Sequence, residues 1–138
     1  MPADTPDTLD GAGPTDTVSK RLLIRVGQRT FTATLLNNAT TAAFKARLPL
    51  TLSMRELNGN EKYGDFTPGL PTNAANPGTI QTGDLMLYGS STLVLFYKSL
   101  PTSYSYTRLG RIDDLSGLAT ALGNGNVTIT FDLAYRQK

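Results

Sequence analysis

Apolar and polar side chains alternate in short runs from Lys20 onward. This period of two is typical of strands with one buried face. It predicts strands over residues 22–26, 31–35, 50–55, 84–88, 92–97, 104–109 and 127–133. Gly27-Gln28 predicts a turn after the first strand, and residues 89–91 predict another between the fourth and the fifth.

Two segments have the spacing of short helices instead. Asn37-Asn38 provides an N-cap for a helix over residues 39–48, which Pro49 ends. Asp113-Asp114 precedes a second helix, in which apolar residues recur at i, i+3, i+4 and i+7 up to Leu122. The two aspartates could also form a general acid/base pair, but their position favours the cap.

These elements amount to seven or eight strands and two short helices. An open sheet of that size would leave long edge strands exposed to water. The pattern therefore predicts a mainly β fold, with the strands arranged as a closed or nearly closed barrel.

The stretch from Asn58 to Gly83 is rich in Asn, Gly and Pro and is too long for a simple connection. Long irregular segments often carry function. Within it, Glu61, Lys62 and Tyr63 bring together an acid, a base and a phenol. Either this cluster belongs to a site, or Glu61 pairs with a nearby arginine as a brace while Tyr63 packs on the barrel rim.

Residues 1–19 contain four Asp, no Lys or Arg and almost no large apolar side chain. Such a segment cannot bury enough surface to offset the entropy lost on ordering. We expect a flexible acidic leader over residues 1–19 and one domain over residues 20–138, since 138 residues is an ordinary size for one domain.

The composition excludes several kinds of chemistry. Without any Cys or His, the chain has no thiol nucleophile, no histidine base and neither of the two ligand types that almost every zinc or iron site needs. We expect no metal, no cofactor and no catalytic residue of those types. Any reaction would rely on carboxylates, Lys, Arg, Tyr or hydroxyl groups.

Charge and hydropathy bear on the partners. The net charge is +2, and beyond residue 19 there are seven acids against 13 basic residues. This excess can favour anionic partners, but it forms no dense basic stripe, so we expect no nucleic acid. No stretch has the roughly 20 apolar residues of a membrane span. We expect a soluble protein, cytoplasmic or exported after loss of a leader, and the oligomeric state stays open.

Four motifs, in order, resemble the bacterial cyclophilin-like domain family: Leu48–Met54 (LPLTLSM), Asn58–Tyr63 (NGNEKY), Gly83–Gly89 (GDLMLYG) and Tyr106–Ile112 (YTRLGRI). The likeness covers essentially the whole stretch from Lys20 to Leu133. It implies a closed eight-stranded cyclophilin-like β-barrel with two short helices.

The chain is more distantly similar to true cyclophilins, which are prolyl cis/trans isomerases. By this resemblance Arg55 stands at the place of their arginine and Tyr106 at that of their pocket histidine. Residues 56–63 lack the Phe-Met-x-Gln-Gly-Gly-Asp motif, and the chain has no Trp for the pocket. The resemblance therefore implies a barrel that binds a small molecule or an extended peptide without the usual isomerase pocket. The alternative is a peptidyl-prolyl cis/trans isomerase.

We expect the binding surface to be a concave patch near one barrel face. Arg55 alternates out of phase with the apolar face of its strand, and Phe96 lies near the cyclophilin pocket by the resemblance. Tyr104, Tyr106 and Arg108 share one face of a predicted strand, which either lines the site or forms an outer aromatic ladder. Glu61 would hold one arginine and leave the other free for an anionic or carbonyl group. The predicted ligand-binding residues are Arg55, Glu61, Tyr63, Tyr88, Phe96, Tyr106 and Arg108.

Overall fold

The computed structural model describes residues 20–134. The leader predicted over residues 1–19 lies outside the described residues, as does the end of the domain from residue 135. The strands are β1 (Arg21–Val26), β2 (Arg29–Leu35), β3 (Leu50–Leu57), β4 (Glu61–Asp65), β5 (Thr79–Ile80), β6 (Asp84–Tyr88), β7 (Thr92–Phe96), β8 (Leu100–Pro101), β9 (Thr107–Ile112) and β10 (Val127–Leu133). The helices are α1 (Ala39–Lys45) and α2 (Leu118–Leu122).

Eight strands close into an antiparallel barrel in the order β1, β10, β3, β4, β7, β6, β9 and β2. Closure pairs both edges of every barrel strand, which removes the exposed edges of an open sheet. The two remaining strands, β5 and β8, pair only with each other. The mainly β fold, the closed eight-stranded barrel and the two short helices predicted from the sequence are confirmed.

Large apolar side chains fill the barrel interior. Ile24 of β1 and Phe131 of β10 are partners in register, and both are fully buried. Phe44 of α1 packs edge-on against Phe131, with ring centroids 6.2 Å apart, and α2 adds Leu118 and Leu122 to the same cluster. Neither helix within residues 20–134 is long and apolar enough to cross a bilayer.

Helix α1 begins where the sequence predicts. Asn38 Oδ1 accepts a hydrogen bond from the Thr41 N–H (2.8 Å), and Thr41 Oγ1 accepts one from the Asn38 N–H (3.1 Å). This reciprocal pair satisfies two donors of the first turn. The helix ends at Lys45, earlier than the predicted Leu48, because the chain tightens there: the Leu48 N–H donates to the Lys45 carbonyl, three residues back (3.2 Å).

The predicted cap of the second helix is wrong. Helix α2 begins after Gly117, which has a positive φ of 77° and no side-chain cap. Asp113 instead accepts a hydrogen bond from Thr34 Oγ1 (2.7 Å), and Asp114 accepts one from the Ser116 N–H (3.0 Å). The aspartates therefore close a turn and fasten it to β2, several residues before the helix.

Two predicted boundaries also change. The stretch from Asn58 to Gly83 is not irregular throughout, since it contains β4 and β5. The strand expected from Tyr104 begins only at Thr107, and Tyr106 forms an isolated bridge with Ala75. Tyr104 thus lies before the strand, and it does not share a strand face with Tyr106 and Arg108.

A second apolar cluster lies on the outer face of the barrel. Along β6 and β7, residues 85, 87, 93 and 95 belong to the main core, so the alternating Met86, Val94 and Phe96 point to the other side. They pack with Ile80 and Tyr106, which come from the excursions outside the barrel. These excursions build the walls of a concave surface over β4 and β7.

Candidate functional site

The cluster Glu61-Lys62-Tyr63 lies on β4, where alternation separates its members. Lys62 pairs in register with Leu95 of the main core and is fully buried. Glu61 pairs with Phe96 of the outer cluster, so Glu61 and Tyr63 face outward. Lys62 therefore lies in the barrel interior, whereas Glu61 and Tyr63 lie on the outer face.

Lys62 is fully paired on the inside. Its Nζ donates to Glu56 Oε1 (2.9 Å), to the Gly123 carbonyl (2.9 Å) and to the Gly125 carbonyl (2.5 Å). An ammonium group has three donors, so these bonds use them all. Tyr97 adds a ring centroid 5.5 Å from Nζ, and its hydroxyl donates to Glu56 Oε1 (2.7 Å).

In this inner cluster the pKa of Glu56 is lowered and the pKa of Tyr97 is raised, which favours a charged carboxylate and a neutral phenol. Burial alone would raise the pKa of Glu56, but hydrogen bonds from Tyr97, Lys62 and the Gly59 N–H outweigh it and lower that pKa. Burial, followed by the bond to Glu56, raises the pKa of Tyr97 to about 12. The result is a brace that ties the β3–β4 turn to the segment after α2.

Glu61 is in the opposite situation. It is only 9% exposed, and within residues 20–134 its carboxyl group makes no hydrogen bond or ion pair. Burial, and then the negative charge of Glu56, raises the pKa of Glu61 to about 7. The arginine partner expected for Glu61 is therefore wrong: the brace in this region is Glu56 with Lys62.

Glu61 lines a groove of about 620 Å³ on the outer face of the barrel. Strands β4 and β7 form its floor, the turn at residues 57–60 forms one end, and the segment 100–104 forms a wall. Two acids and four tyrosines contribute most of its chemistry: Glu61, Asp65, Tyr63, Tyr88, Tyr104 and Tyr106.

The aromatic side chains form a continuous series from the outer cluster to the surface. Ring centroids lie 5.7 Å apart for Phe96 and Tyr106, 5.6 Å for Tyr106 and Tyr88, and 6.1 Å for Tyr88 and Tyr104. Burial and the Glu61 carboxylate raise the pKa of Tyr106, which keeps its phenol neutral. Tyr88 and Tyr104 are 47% and 61% exposed, so the outer end of the series is open to solvent.

The structure brings together five of the seven residues predicted for the site. Phe96 lies beneath Tyr106, and the others line the groove directly: Glu61, Tyr63, Tyr88 and Tyr106.

The two arginines lie elsewhere. Arg55 pairs in register with Tyr63 but is exposed and does not line the groove. Arg108 lines a smaller hollow of about 340 Å³, which shares only Tyr106 with the groove. The prediction of an arginine inside the groove is thus not met by this arrangement.

Among the acids and tyrosines that line the groove, the predicted ligand-binding set lacks two, Asp65 and Tyr104. Asp65 follows Glu61 and Tyr63 at a spacing of two, so recognition of β4 would have placed it on the same face. It accepts a hydrogen bond from Thr92 Oγ1 (2.6 Å). Tyr104, which the sequence pattern predicts on a strand face, reaches the groove from a loop. Within residues 20–134 no three acidic side chains converge as a metal site.

The chain is similar to known proteins in sequence and in fold. Its residues 24–132 match the sequence model of the cyclophilin-like family. The chain is similar to the solution structure of a hypothetical protein from Archaeoglobus fulgidus, with 20% sequence identity and a TM-score of 0.61, covering 85% of this chain and 96% of that chain. That likeness shows a shared fold, and no curated protein matches the chain. The bacterial origin implied by the sequence motifs stays a prediction. Because the family match spans most of its length, the chain belongs to the cyclophilin-like family.

Proposed function

We propose that this chain is a binding domain that takes a small molecule or an extended peptide in the groove on its outer face. The observation that carries the proposal is the exposure of Tyr88 and Tyr104, which contact each other at the mouth of the groove. Exposed aromatic side chains that line a concave surface are typical of ligand and partner sites. The groove volume falls within the range of roughly 300–1,000 Å³ usual for ligand pockets.

The polar groups of the groove support the same proposal. Glu61 and Asp65 lie on its floor, and Asn58 and Asn60 lie at the turn that closes one end. A mostly apolar surface with a few polar groups orients a ligand while burying much of its area.

Prolyl isomerisation is the alternative. That reaction has a barrier of roughly 20 kcal/mol and needs a donor near the proline nitrogen, within an apolar slot. The arginine that would be the donor, Arg55, is exposed and does not line the groove. We therefore expect the purified protein to leave the isomerisation rate of a proline peptide at its uncatalysed value, and a clear acceleration would favour the enzyme instead.

Binding itself can be tested by amide chemical shifts of the isotope-labelled protein. We expect members of a fragment library, or of a set of proline-containing peptides, to shift signals around residues 57–65 and 100–106. Tyr88→Ser should weaken that binding. The matched control is Leu36→Ser, because Leu36 is similarly exposed (45%) but lies outside the groove. Shifts spread over other surfaces, or equal effects of the two substitutions, would argue against the groove.

A further inference from the structure

The charge of the groove is opposite to that of the chain around it. Beyond residue 19 the sequence has 13 basic and seven acidic residues. The groove is lined by two acids, Glu61 and Asp65, and by none of the Lys or Arg side chains that the structure describes. A ligand with positive charge therefore complements this surface, although the overall charge of the chain suggests anionic partners.

Of the two carboxyl groups, that of Glu61 is the better candidate for a contact with the ligand. Asp65 already accepts a hydrogen bond from Thr92, whereas Glu61 is about nine-tenths buried and has no partner within the described residues. A buried carboxylate without a donor is unfavourable for folding. A ligand that brings donors and a positive charge to Glu61 would relieve that penalty on binding.

Tyrosine rings line the same groove as Glu61. Tyr63 is two residues from Glu61 on the outward face of β4. Tyr106 lies close enough to Glu61 that the negative charge of the carboxylate helps to raise the pKa of Tyr106. Tyr88 contacts Tyr106 and lines the groove beside it. Aromatic rings attract ammonium groups through the negative charge of their faces, and they do so more strongly when water is excluded.

We propose that the groove selects an organic cation, with the ammonium group bound by the Glu61 carboxylate among the rings of Tyr63, Tyr88 and Tyr106. This inference rests on the proposed function, because it names the ligand class for the same groove. The ammonium group belongs either to a free alkylamine or to a lysine side chain of an extended peptide. Both present the same chemistry to Glu61.

Two pairs of probes test the inference. Butylamine, which is protonated at pH 8, and butan-1-ol have nearly the same shape and differ by one charge, since a hydroxyl group replaces the ammonium group. A short peptide with a central lysine, compared with its acetyllysine form, makes the same comparison for a peptide ligand. Titration of the full chain, followed by tyrosine ring signals, should show the charged member of at least one pair binding about tenfold more tightly. The pair that shows the larger preference identifies the source of the ammonium group.

Substitutions show whether Glu61 is responsible. Glu61→Gln keeps the shape and removes the charge, so the preference for the charged probe should fall to about twofold or less. Asp113→Asn removes the same charge outside the groove, where Asp113 accepts a hydrogen bond from Thr34, and should keep the full preference. Glu61→Asp keeps the charge on a shorter side chain and should give an intermediate preference, and this checks the role of charge should Glu61→Gln fold poorly.

The outcomes separate the two proposals. Equal binding of charged and neutral probes, with shifts in the groove, would overturn the organic cation and leave the binding groove intact. An equal loss in Asp113→Asn and Glu61→Gln would also overturn it, because the overall charge would then explain the preference. If neither probe pair nor the fragment and peptide sets shift the groove signals, the proposed binding function fails as well.

Discussion

Strand β4 carries two buried ionisable side chains next to each other, and the two differ in how the fold treats them. Lys62 points into the barrel and uses all three of its donors on Glu56 and two carbonyl groups. Glu61 points to the outer groove and has no hydrogen-bond partner within residues 20–134. Burial alone therefore does not distinguish a structural charge from a functional one.

The number of hydrogen-bond partners distinguishes a structural buried charge from a functional one. A buried charge with a complete set of partners stabilises one arrangement of the chain, and its loss leaves other groups unpaired. A buried charge without partners weakens the fold, and its presence next to a groove is a reason to expect a ligand. The inner and outer faces of β4 can thus be tested by what each substitution does to stability.

The largest effect should come from Lys62→Met. This substitution leaves the half-buried Glu56 and two carbonyl groups without their donor. We expect the free energy of unfolding to fall by about 3–5 kcal/mol in urea denaturation at pH 7. Adding Glu56→Gln should recover part of the loss, since the unpaired negative charge is then gone. A loss below about 1 kcal/mol would mean that the inner cluster is not a brace.

A smaller loss should follow Tyr97→Phe. The variant loses the hydroxyl donor to Glu56 Oε1 (2.7 Å) and keeps the ring beside Lys62. Hydrogen bonds to charged groups contribute about 1.5–3 kcal/mol, so we expect a loss in that range from chemical denaturation. The control is Tyr63→Phe on the outer face, because the Tyr63 hydroxyl makes no hydrogen bond within the described residues. Equal effects of the two substitutions would contradict the difference between the faces.

Glu61→Gln should act in the opposite direction and depend on pH. The ordinary pKa of the group is 4.5, and in the folded chain it rises to about 7. Between these values the folded chain keeps a proton that the unfolded chain has lost, so rising pH destabilises the wild type. The penalty is complete above about pH 7 and absent below about pH 4.

Removing this carboxyl group should therefore stabilise the protein at pH 8 by about 1–3 kcal/mol and leave stability at pH 4 unchanged. Urea denaturation of the variant and the wild type at both pH values measures the difference directly. The other titrating groups are common to the two proteins, so the difference reports Glu61 together with its coupling to Glu56. A variant that is less stable at pH 8 would show that the Glu61 carboxylate has a favourable partner in the fold.

The sequence predicts the barrel well because most strands have an apolar inward face. The apolar pattern does not predict strand β4, because its inward positions are Lys62 and Gly64. Gly64 has no side chain, and its backbone packs against the side chains of Leu52 and Met54. No apolar alternation remains to mark such a strand. The pairing of Lys62 depends on carbonyl groups some 60 residues away, and spacing along the chain cannot indicate that contact.

The candidate site was partly predictable for a related reason. The family motifs contain Glu61, Tyr63 and Tyr88, although only Tyr88 lies on a strand that the sequence predicts. Tyr104 reaches the groove through a loop path that no periodicity specifies. The error at Asp113 has another origin, because aspartate closes turns and caps helices with the same hydrogen bonds.

The smallest effects should come from the arginines that the sequence placed in the site. Arg55 and Arg108 are exposed, and within residues 20–134 neither guanidinium has a hydrogen-bond or ion-pair partner. Arg108→Ala should change the free energy of unfolding by no more than about 0.5 kcal/mol. Combined with Glu61→Gln, its effect should be additive within about 0.5 kcal/mol at pH 8, because the two side chains share no partner. A double-mutant cycle by urea denaturation measures this coupling. Two damaging single substitutions whose double variant regains stability would restore the arginine brace and remove the basis for a free Glu61 in the groove.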